Sequence, residues 1–376
     1  MKQKRFFHMF AIFFLTAIIL LLPLNYILDY HGVFRRYKAE PVVLDSINDR
    51  FVKMRYLLEE ENFDKYNSYL WGSSRVMKMD TMVAREKTYN LGVQSGMTED
   101  CLAQLQQLVS HGAQIDKIYI GLDDLSYIQT YEIVKNKINY KPYDDDFIGD
   151  MGTYIGYIFD PIAIGQVGRI IRIIRNDAKD SIRTYLHSSG MLLIPNSVEG
   201  EIEDSPGKYV LEKKFLQAKT YKKADNEFSS CLNNVSLIKQ ICDENGIQLF
   251  LFFNPQHMTT YLNDDMELMN RFKKELVKIS PFWDFSGVNY VTANNYFWYE
   301  TSHPRAFICD KILDTVSGQN QITWVPDFGV YVTEENVDAF CEKAVRDREA
   351  YDPNHEQWVP SAEERAVMTK RVNYPW

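Results

Sequence analysis

The sequence predicts an α/β fold of three layers, α/β/α, with a mostly parallel central sheet. Short apolar runs alternate with segments of helical periodicity over most of the chain, which is typical of a parallel sheet covered on both faces. The clearest strand signals are the continuous apolar runs 118–122 and 247–253, because parallel strands are buried on both faces. Polar residues follow these runs, at the sheet edge where open parallel sheets bind their ligands.

Each element is predicted from its own periodicity and end signals. The predicted strands lie at 69–71, 90–93, 118–122, 247–253 and 282–285. The predicted helices lie at 98–112, 228–245, 266–279, 304–315 and 333–351. The first helix has acidic residues in its first turn and a glycine stop, Gly112, and the last begins with a capping threonine, Thr333. The stretch 125–225 breaks the alternation and is predicted to be an insertion or lid.

An apolar segment near the N-terminus predicts a transmembrane anchor. Residues 6–28 are almost wholly apolar and follow basic residues, and about 20 such residues cross a bilayer. No small-x-small cleavage site follows, which favours an uncleaved anchor over a signal peptide. A short basic tail usually stays in the cytoplasm, so we expect a single-pass protein of the cytoplasmic (inner) membrane with its large domain outside. The predicted parts are a cytoplasmic tail, the anchor, a connecting segment, an α/β domain and a C-terminal helical extension, at 1–5, 6–28, 29–68, 69–320 and 321–376.

Composition excludes several classes of protein. The 376 residues carry a net charge of -9 and the basic residues form no long run, so no nucleic-acid surface is expected. The five cysteines are scattered, and we interpret them mostly as buried small apolar residues. No cluster of histidines and acids has the spacing of metal ligands, which argues against a metal-dependent hydrolase, and no cofactor is expected.

Two short motifs carry candidate chemistry. Gly72-Ser73-Ser74-Arg75 follows the first predicted strand and leads into a helix-compatible segment, where a serine Oγ projects above the sheet edge. Near the other end Glu300 precedes His303, which is expected to cap a helix with Pro304 in its first turn. This spacing lets the carboxylate reach Nδ1 and leaves Nε2 free to accept a serine proton. A helix-cap serine and a surface histidine beside an acid are the alternatives.

Taken in order, the motifs resemble the SGNH hydrolase superfamily. The matching blocks are Gly72-Ser73-Ser74, Gly92, Gly121-Leu122-Asp123-Asp124 and Glu300-x-x-His303. More narrowly, the chain looks like membrane-anchored SGNH-like proteins of bacterial cell envelopes, which are distant relatives of the teichoic acid D-alanyl transfer protein and of polysaccharide O-acetylation factors. This narrower resemblance also includes Tyr89-Asn90-Leu91-Gly92 and Trp283-Asp284-Phe285-Ser286-Gly287. The resemblance implies a flavodoxin-like sheet.

The resemblance assigns roles to the candidate residues. Ser74 would be the nucleophile, His303 the general base and later acid, and Glu300 the group that orients His303. The oxyanion donors would be the N–H groups of Ser74 and Gly92. Where the superfamily has an asparagine, this chain has Asp123, and an ionised aspartate repels a developing negative charge. Either Asp123 is protonated, or it turns away, or the site is not that of a standard esterase.

Two further residues are candidates for substrate contact. Arg75 would offset negative charge beside Ser74, with a surface salt bridge as the alternative. His257 follows the strand 247–253 and either contacts substrate or has no role. The expected function is an extracytoplasmic O-acylesterase or O-acyltransferase acting on an envelope polysaccharide or polymer. If transfer is the role, the resemblance alone implies a multi-pass membrane O-acyltransferase as the partner. The alternative is an inactive SGNH-like binding or assembly protein.

Overall fold

The computed structural model describes residues 2–29, 31–34, 36, 42–43, 47–59, 61–84, 86–128, 141–144, 146–160, 184–220, 228–318, 325 and 327–369. The α-helices in these ranges are α1 (Lys2–Leu28), α2 (Asp49–Leu58), α3 (Thr98–Ser110), α4 (Leu125–Ile128), α5 (Phe147–Ile158), α6 (Asn196–Asp204), α7 (Pro206–Tyr209), α8 (Ser229–Asn245), α9 (Met258–Tyr261), α10 (Met266–Leu276), α11 (Tyr290–Ala293), α12 (Ala306–Val316), α13 (Val337–Ala350) and α14 (Ala362–Met368). The strands are β1 (Val42–Val43), β2 (Ser68–Gly72), β3 (Thr88–Asn90), β4 (Lys117–Leu122), β5 (Thr184–Tyr185), β6 (Leu192–Leu193), β7 (Gln248–Phe253), β8 (Phe282–Asp284), β9 (Trp298–Glu300), β10 (His303–Pro304) and β11 (Val330–Val332).

The central sheet has six strands in the order β11-β8-β7-β4-β2-β3. Strands β3, β2, β4, β7 and β8 run parallel to their neighbours, whereas β11 pairs antiparallel with β8. Parallel pairs need crossover connections rather than hairpins, and α3 lies between β3 and β4 and α10 between β7 and β8. The predicted α/β fold with a mostly parallel sheet is therefore confirmed.

Two apolar clusters cover the two faces of this sheet. Successive side chains of a strand point to opposite faces, so Leu70 and Tyr119 belong to one cluster, which α12 covers. Their neighbours Trp71 and Ile120 belong to the other, which α3, α8 and α10 cover. All five cysteines are buried, which confirms their interpretation as interior residues.

Several elements differ from the sequence prediction, and three of the differences matter most. Strand β3 begins and ends earlier than the predicted 90–93. Helix α13 has Asn336 at its N-cap rather than Thr333, whose amide instead donates to the Asn336 side chain at 2.9 Å. The C-terminal extension, predicted to be helical, also contains β11, whose Val330 pairs with Asp284. That strand depends on a partner far away in sequence, so local periodicity does not reveal it.

The N-terminal apolar segment forms α1. Many of its large apolar side chains are exposed, including Phe6 (66%) and Phe13 (73%). Near the end of this helix the buried Asn25 side chain donates to the carbonyls of Ile158 and Asp160, both at 2.8 Å, and so joins α1 to α5. Across the ranges that the structure describes, no helix combines the length and apolarity needed to cross a bilayer. The transmembrane helix predicted at 6–28 is therefore not supported.

The connecting segment predicted at 29–68 contributes buried charge to the domain. In α2 the Lys53 ammonium is fully covered and donates to the carbonyls of Asn90 (3.0 Å) and Gly92 (2.6 Å). Desolvation lowers the pKa of Lys53 to about 8. Arg50 of the same helix pairs with Asp100 at 2.7 Å. The two Lys53 contacts satisfy buried carbonyls at and just beyond the end of β3.

Candidate active site

The structure brings Ser74, His303 and Glu300 together at the carboxyl edge of the sheet. Ser74 lies just after β2, and its Oγ is 2.7 Å from Nε2 of His303. The Nδ1 atom of His303 hydrogen-bonds Oε1 of Glu300. A carboxylate on Nδ1 sets the tautomer in which Nδ1 carries the proton, so Nε2 is the atom that accepts from the serine hydroxyl. A serine hydroxyl, an imidazole and a carboxylate are thus joined in one hydrogen-bond chain.

Glu300 meets His303 across a two-stranded hairpin. Strand β9 ends at Glu300, β10 begins at His303, and the two residues are paired in the antiparallel register. The expectation that His303 caps a helix is wrong, because α12 begins at Ala306 with Arg305 at its N-cap. The turn between the strands places both side chains on one face of the hairpin. The Glu300 side chain, which is one methylene longer than an aspartate, easily spans the distance to the imidazole. The second oxygen of Glu300 accepts the Ser302 amide at 2.7 Å, which fixes the carboxylate in place.

The electrostatics of the site keep His303 neutral. Burial of the ring, together with the positive charges of Lys78 and Arg75, lowers the pKa of His303 to about 4, although Glu300 opposes the shift. The side chain keeps 31% of its surface exposed, so the ring is still reachable from solvent. Burial raises the pKa of Glu300, but His303, the Ser302 amide and Lys78 lower it by more, and the net pKa is below its usual value. At neutral pH the pair is thus an unprotonated base beside a carboxylate.

The segment that begins at Ser74 is a turn, not a helix. Residues 74–78 form successive turns, in which the amide of Val76 donates to the Ser73 carbonyl at 3.0 Å. A short 3-10 helix, Thr81–Ala84, follows. The expected helix N-terminus behind Ser74 is therefore absent from this described segment, and no helix dipole supports the anion there. The Ser74 amide itself has no hydrogen-bond acceptor among the described residues.

Three motif glycines pack against one side chain, Val76, which is fully buried. A Cβ atom added at Gly72, Gly92 or Gly121 would lie 2.9, 2.5 or 2.5 Å from a Val76 methyl carbon. Gly72 also has φ +151, a backbone conformation that other residues rarely adopt. These glycines belong to separate sequence blocks but share one role. Each leaves room for Val76, so that the turn that contains Ser74 packs against the edge of the sheet.

Gly92, the predicted oxyanion donor, has an internal acceptor. Its amide donates to Oδ1 of Asn90 at 2.8 Å. The same Asn90 side chain donates to the carbonyls of Val76 (2.8 Å) and Met79 (3.2 Å) and so ties the nucleophile turn to the end of β3. The sequence motifs by themselves assigned no role to Asn90. The available signal was an asparagine standing between the apolar Tyr89 and Leu91.

Asp123 and Arg75 belong to one buried ion cluster. The Asp123 carboxylate accepts from the Ser73 hydroxyl and from the amide of Leu125 (3.1 Å), and it lies 2.8 Å from Nη1 of Arg75. Arg75 is 2% exposed, so the alternative of a surface salt bridge is wrong. Both oxygens of the Asp123 side chain have these partners, none of which is Ser74 or His303.

His257 is a structural residue in this conformation. It caps α9 by accepting the Thr259 amide on Nδ1 at 3.1 Å, and its Nε2 hydrogen-bonds Oδ1 of Asn295 at 2.8 Å. Burial lowers its pKa to about 4, although Asn295 and Glu300 oppose the shift. The ring stacks on Phe215 and meets Trp298 edge-on. Both ring nitrogens of His257 are therefore occupied, and no described contact joins it to Ser74. Its edge-on contact with Trp298 instead supports the β9–β10 hairpin.

The predicted insertion contributes a buttress for the same hairpin. Its Tyr209 hydroxyl donates to the Trp298 carbonyl at 2.6 Å. Its Glu199 lies 2.5 Å from the guanidinium of Arg305, which is itself fully buried. Within 125–225 the structure describes residues 125–128, 141–144, 146–160 and 184–220, and the others lie outside the described ranges. In its described part, the insertion holds the His303 hairpin in place.

Lys78 is a second residue that the sequence analysis overlooked. It is 4% exposed, and its ammonium lies 5.6 Å from the centre of the Tyr299 ring. It lowers the pKa values of both His303 and Glu300. A lysine between two methionines, Met77 and Met79, is the pattern that could have identified a buried cation.

No family model and no curated protein matches this chain.

Proposed function

We propose that the protein is a serine-dependent acyl-transfer enzyme of the SGNH type, either an O-acylesterase or an O-acyltransferase. The observation that carries this proposal is the 2.7 Å contact between Ser74 Oγ and Nε2 of a histidine whose Nδ1 is held by Glu300. The proposal also draws on the order of the motif blocks and on the parallel sheet, since both agree with that superfamily. Fold alone would not indicate an activity.

The chemistry follows from the hydrogen-bond chain. Ser74 Oγ attacks the carbonyl carbon of an ester while its proton passes to Nε2 of His303. Glu300 stabilises the imidazolium that forms. The imidazolium then gives its proton to the leaving alkoxide, and the acyl group stays on Ser74. Water or a sugar hydroxyl next attacks this acyl-enzyme, with His303 taking the proton of the nucleophile and returning it to Ser74.

The oxyanion of each tetrahedral intermediate would be stabilised chiefly by the Ser74 amide. That amide has no acceptor among the described residues, which leaves it available. Removing one oxyanion donor costs about 10²- to 10³-fold in rate in a known serine protease. A site with a single donor is therefore expected to be slow, unless Gly92 exchanges its bond to Asn90 for the substrate.

A fluorophosphonate probe tests the proposal on the full chain. We expect one probe per chain on wild-type protein and none on Ser74→Ala or His303→Ala. Ser110→Ala is the matched control, because Ser110 is an exposed serine far from the site in sequence and should leave labelling unchanged. Absence of labelling on the wild type over pH 5 to 9 would sink the catalytic proposal.

The second candidate is a binding or assembly protein that keeps the SGNH shape without turnover. It is favoured by the Gly92 amide, which is occupied by Asn90, and by the Asp123 carboxylate at the asparagine position. An unlabelled wild type that still binds an envelope polysaccharide in a pull-down would support this candidate.

We further propose that the protein works at the outer face of the cytoplasmic membrane, on an envelope polysaccharide or polymer, with a multi-pass O-acyltransferase as a partner. The support for membrane attachment is the row of exposed apolar side chains on α1, together with exposed Met151, Ile155 and Phe159 on and beside α5. Full-length protein should stay with membranes after an alkaline wash and be digested by protease added to cells whose outer layers have been removed. Recovery in the wash, or protection from protease, would contradict this location.

A further inference from the structure

The side chain of Arg75 connects the two halves of the candidate active site. It follows Ser74 directly and is 2% exposed. Its Nε donates to the carbonyl of Ser302, the residue before His303, at 3.0 Å. The Arg75 guanidinium therefore hydrogen-bonds the segment that leads to His303, whereas the backbone of Arg75 is joined directly to Ser74. These two segments come from opposite ends of the domain.

The Ser302 contact continues to the acid of the triad. The Ser302 amide donates to Oε2 of Glu300 at 2.7 Å, and Oε1 of the same carboxylate holds His303. The order of contacts is thus Arg75 to Ser302, Ser302 to Glu300, and Glu300 to His303. A shift of Arg75 would move Ser74 and the base relative to each other, and small misplacements of reacting groups cost large factors in rate.

Two aspartates hold the guanidinium in this position. Nη1 lies 2.8 Å from Asp123 and 2.5 Å from Asp124, while Nη2 lies 3.2 Å from the second oxygen of Asp124. Both carboxylates are as deeply buried as the arginine. Burial and the charge of Asp123 raise the pKa of Asp124 to about 6, although Arg75 opposes the shift. The fixed fork of a guanidinium can serve several acceptors at once, which the single point charge of a lysine cannot.

We infer that Arg75 is a positioning residue that sets the separation of Ser74 and His303, with Asp123 and Asp124 as its counter-ions. This inference rests on the proposed function where it concerns the reaction rate. The separation of Ser74 and His303 that Arg75 sets does not depend on catalysis. The aspartate at position 123 thereby has a role: its Oδ2 lies 2.8 Å from Nη1 of Arg75 and also accepts from the Ser73 hydroxyl.

Saturation kinetics of fluorophosphonate labelling test the inference on full-length protein. For Arg75→Met we expect the maximal labelling rate to fall roughly 100-fold, while the final amount of label stays at one per chain. Arg75→Lys keeps the charge and should still be at least about ten-fold slow, because lysine cannot reach Ser302 and both aspartates together. A role in folding alone would instead reduce the amount of labelled protein and leave the rate of the folded fraction unchanged.

Arg50→Met is the matched control. Arg50 is an equally buried arginine, and its guanidinium is hydrogen-bonded to Asp100 at 2.7 Å and to the carbonyls of Gln94 and Ser95, which lie outside the triad. Its loss should lower stability and leave the labelling rate of the folded fraction unchanged. Labelling of either Arg75 variant at the wild-type rate would overturn the inference, as would a lower amount of label at an unchanged rate.

A crystal structure of Arg75→Lys gives a readout that does not require activity. We expect Ser74 Oγ and His303 Nε2 to separate beyond hydrogen-bond distance, and a separation that stays at 2.7 Å would overturn the inference. If the wild type is never labelled, the proposed function fails, and this structure still decides the role of Arg75.

Discussion

Ser74 Oγ lies 2.7 Å from His303 Nε2, although the two residues are 229 positions apart. The strands that precede or contain these residues, β2 and β10, are not paired with each other. Ser74 is carried past the end of β2 by a turn seated on Val76, and His303 is held by the β9–β10 hairpin. The contact therefore depends on the packing of both segments, and it can be tested through each of them.

The pH dependence of labelling should follow His303. Because the pKa of His303 is lowered to about 4, its base form persists well below the ordinary histidine value of 6.5. The second-order labelling rate of the wild type should therefore fall to half only near pH 4. Lys78→Met removes a charge that lowers this pKa, so its midpoint should move upward. Lys278→Met, at an exposed lysine, is the control, and a wild-type midpoint near 6.5 would contradict the assignment.

Glu300→Gln should slow labelling by roughly 100-fold or more at pH 7, because an amide neither sets the tautomer of His303 nor stabilises its cation. The stability of the protein should change little, since the Glu300 side chain is 37% exposed. Labelling rates at saturating probe measure the effect. Glu356→Gln, at an exposed glutamate, should behave as wild type. An unchanged rate in Glu300→Gln would remove Glu300 from the triad.

Gly92→Ala should disturb the nucleophile turn from a distance. Its new Cβ would lie 2.5 Å from a Val76 methyl carbon and 2.8 Å from Oδ1 of Asn90. We expect a loss of about 1–3 kcal/mol in the free energy of unfolding, the usual effect of overpacking, and labelling at least ten-fold slower. Gly200→Ala in α6 meets nothing within 4 Å and should be neutral or slightly stabilising. Equal behaviour of the two variants would refute the packing argument.

His257 should make the fold sensitive to acid. Its pKa falls from 6.5 in the unfolded chain to about 4 in the folded protein, so the unfolded chain takes up the proton first as pH falls. Stability is complete above about 6.5 and is lost as pH falls toward 4, with a loss of about 3 kcal/mol from this residue. Urea unfolding at pH 7 and pH 4.5 measures the effect.

Two variants separate titration from packing at this site. His257→Gln should unfold more easily at pH 7 but lose less stability on acidification than the wild type. Asn295→Ala breaks the same 2.8 Å hydrogen bond but keeps the histidine, so it should retain the acid sensitivity. If His257→Gln is as acid-sensitive as the wild type, the titrating group lies elsewhere.

Local patterns were sufficient for much of the fold and for the identity of the triad candidates. The apolar runs at 118–122 and 247–253 are strands β4 and β7, and the periodic segments around α3, α8 and α10 are helices. These elements were predictable because a parallel strand is buried on both faces and an amphipathic helix on one, so burial leaves its mark in consecutive residues. Ser74, Glu300 and His303 were also identified from local sequence, because each lies in a short motif of neighbouring residues.

Features that depend on distant partners were not predictable. The turn after Ser74 replaces an expected helix because it is held by Asn90 and by the packing of three glycines on Val76. Strand β11 forms because β8 offers it an edge. Arg75 becomes a buried connection rather than a surface charge because Asp123, Asp124 and Ser302 surround it.

The sequence by itself therefore determined the class of fold and the residue types that are able to perform acyl transfer. Only the tertiary structure decided their geometry: which oxygen faces which nitrogen, which amide is already occupied, and which charges are buried together. The physical reason is that periodicity records the burial of neighbouring residues, whereas hydrogen bonds and ion pairs of a site join segments hundreds of residues apart. No local pattern encodes a distance between them.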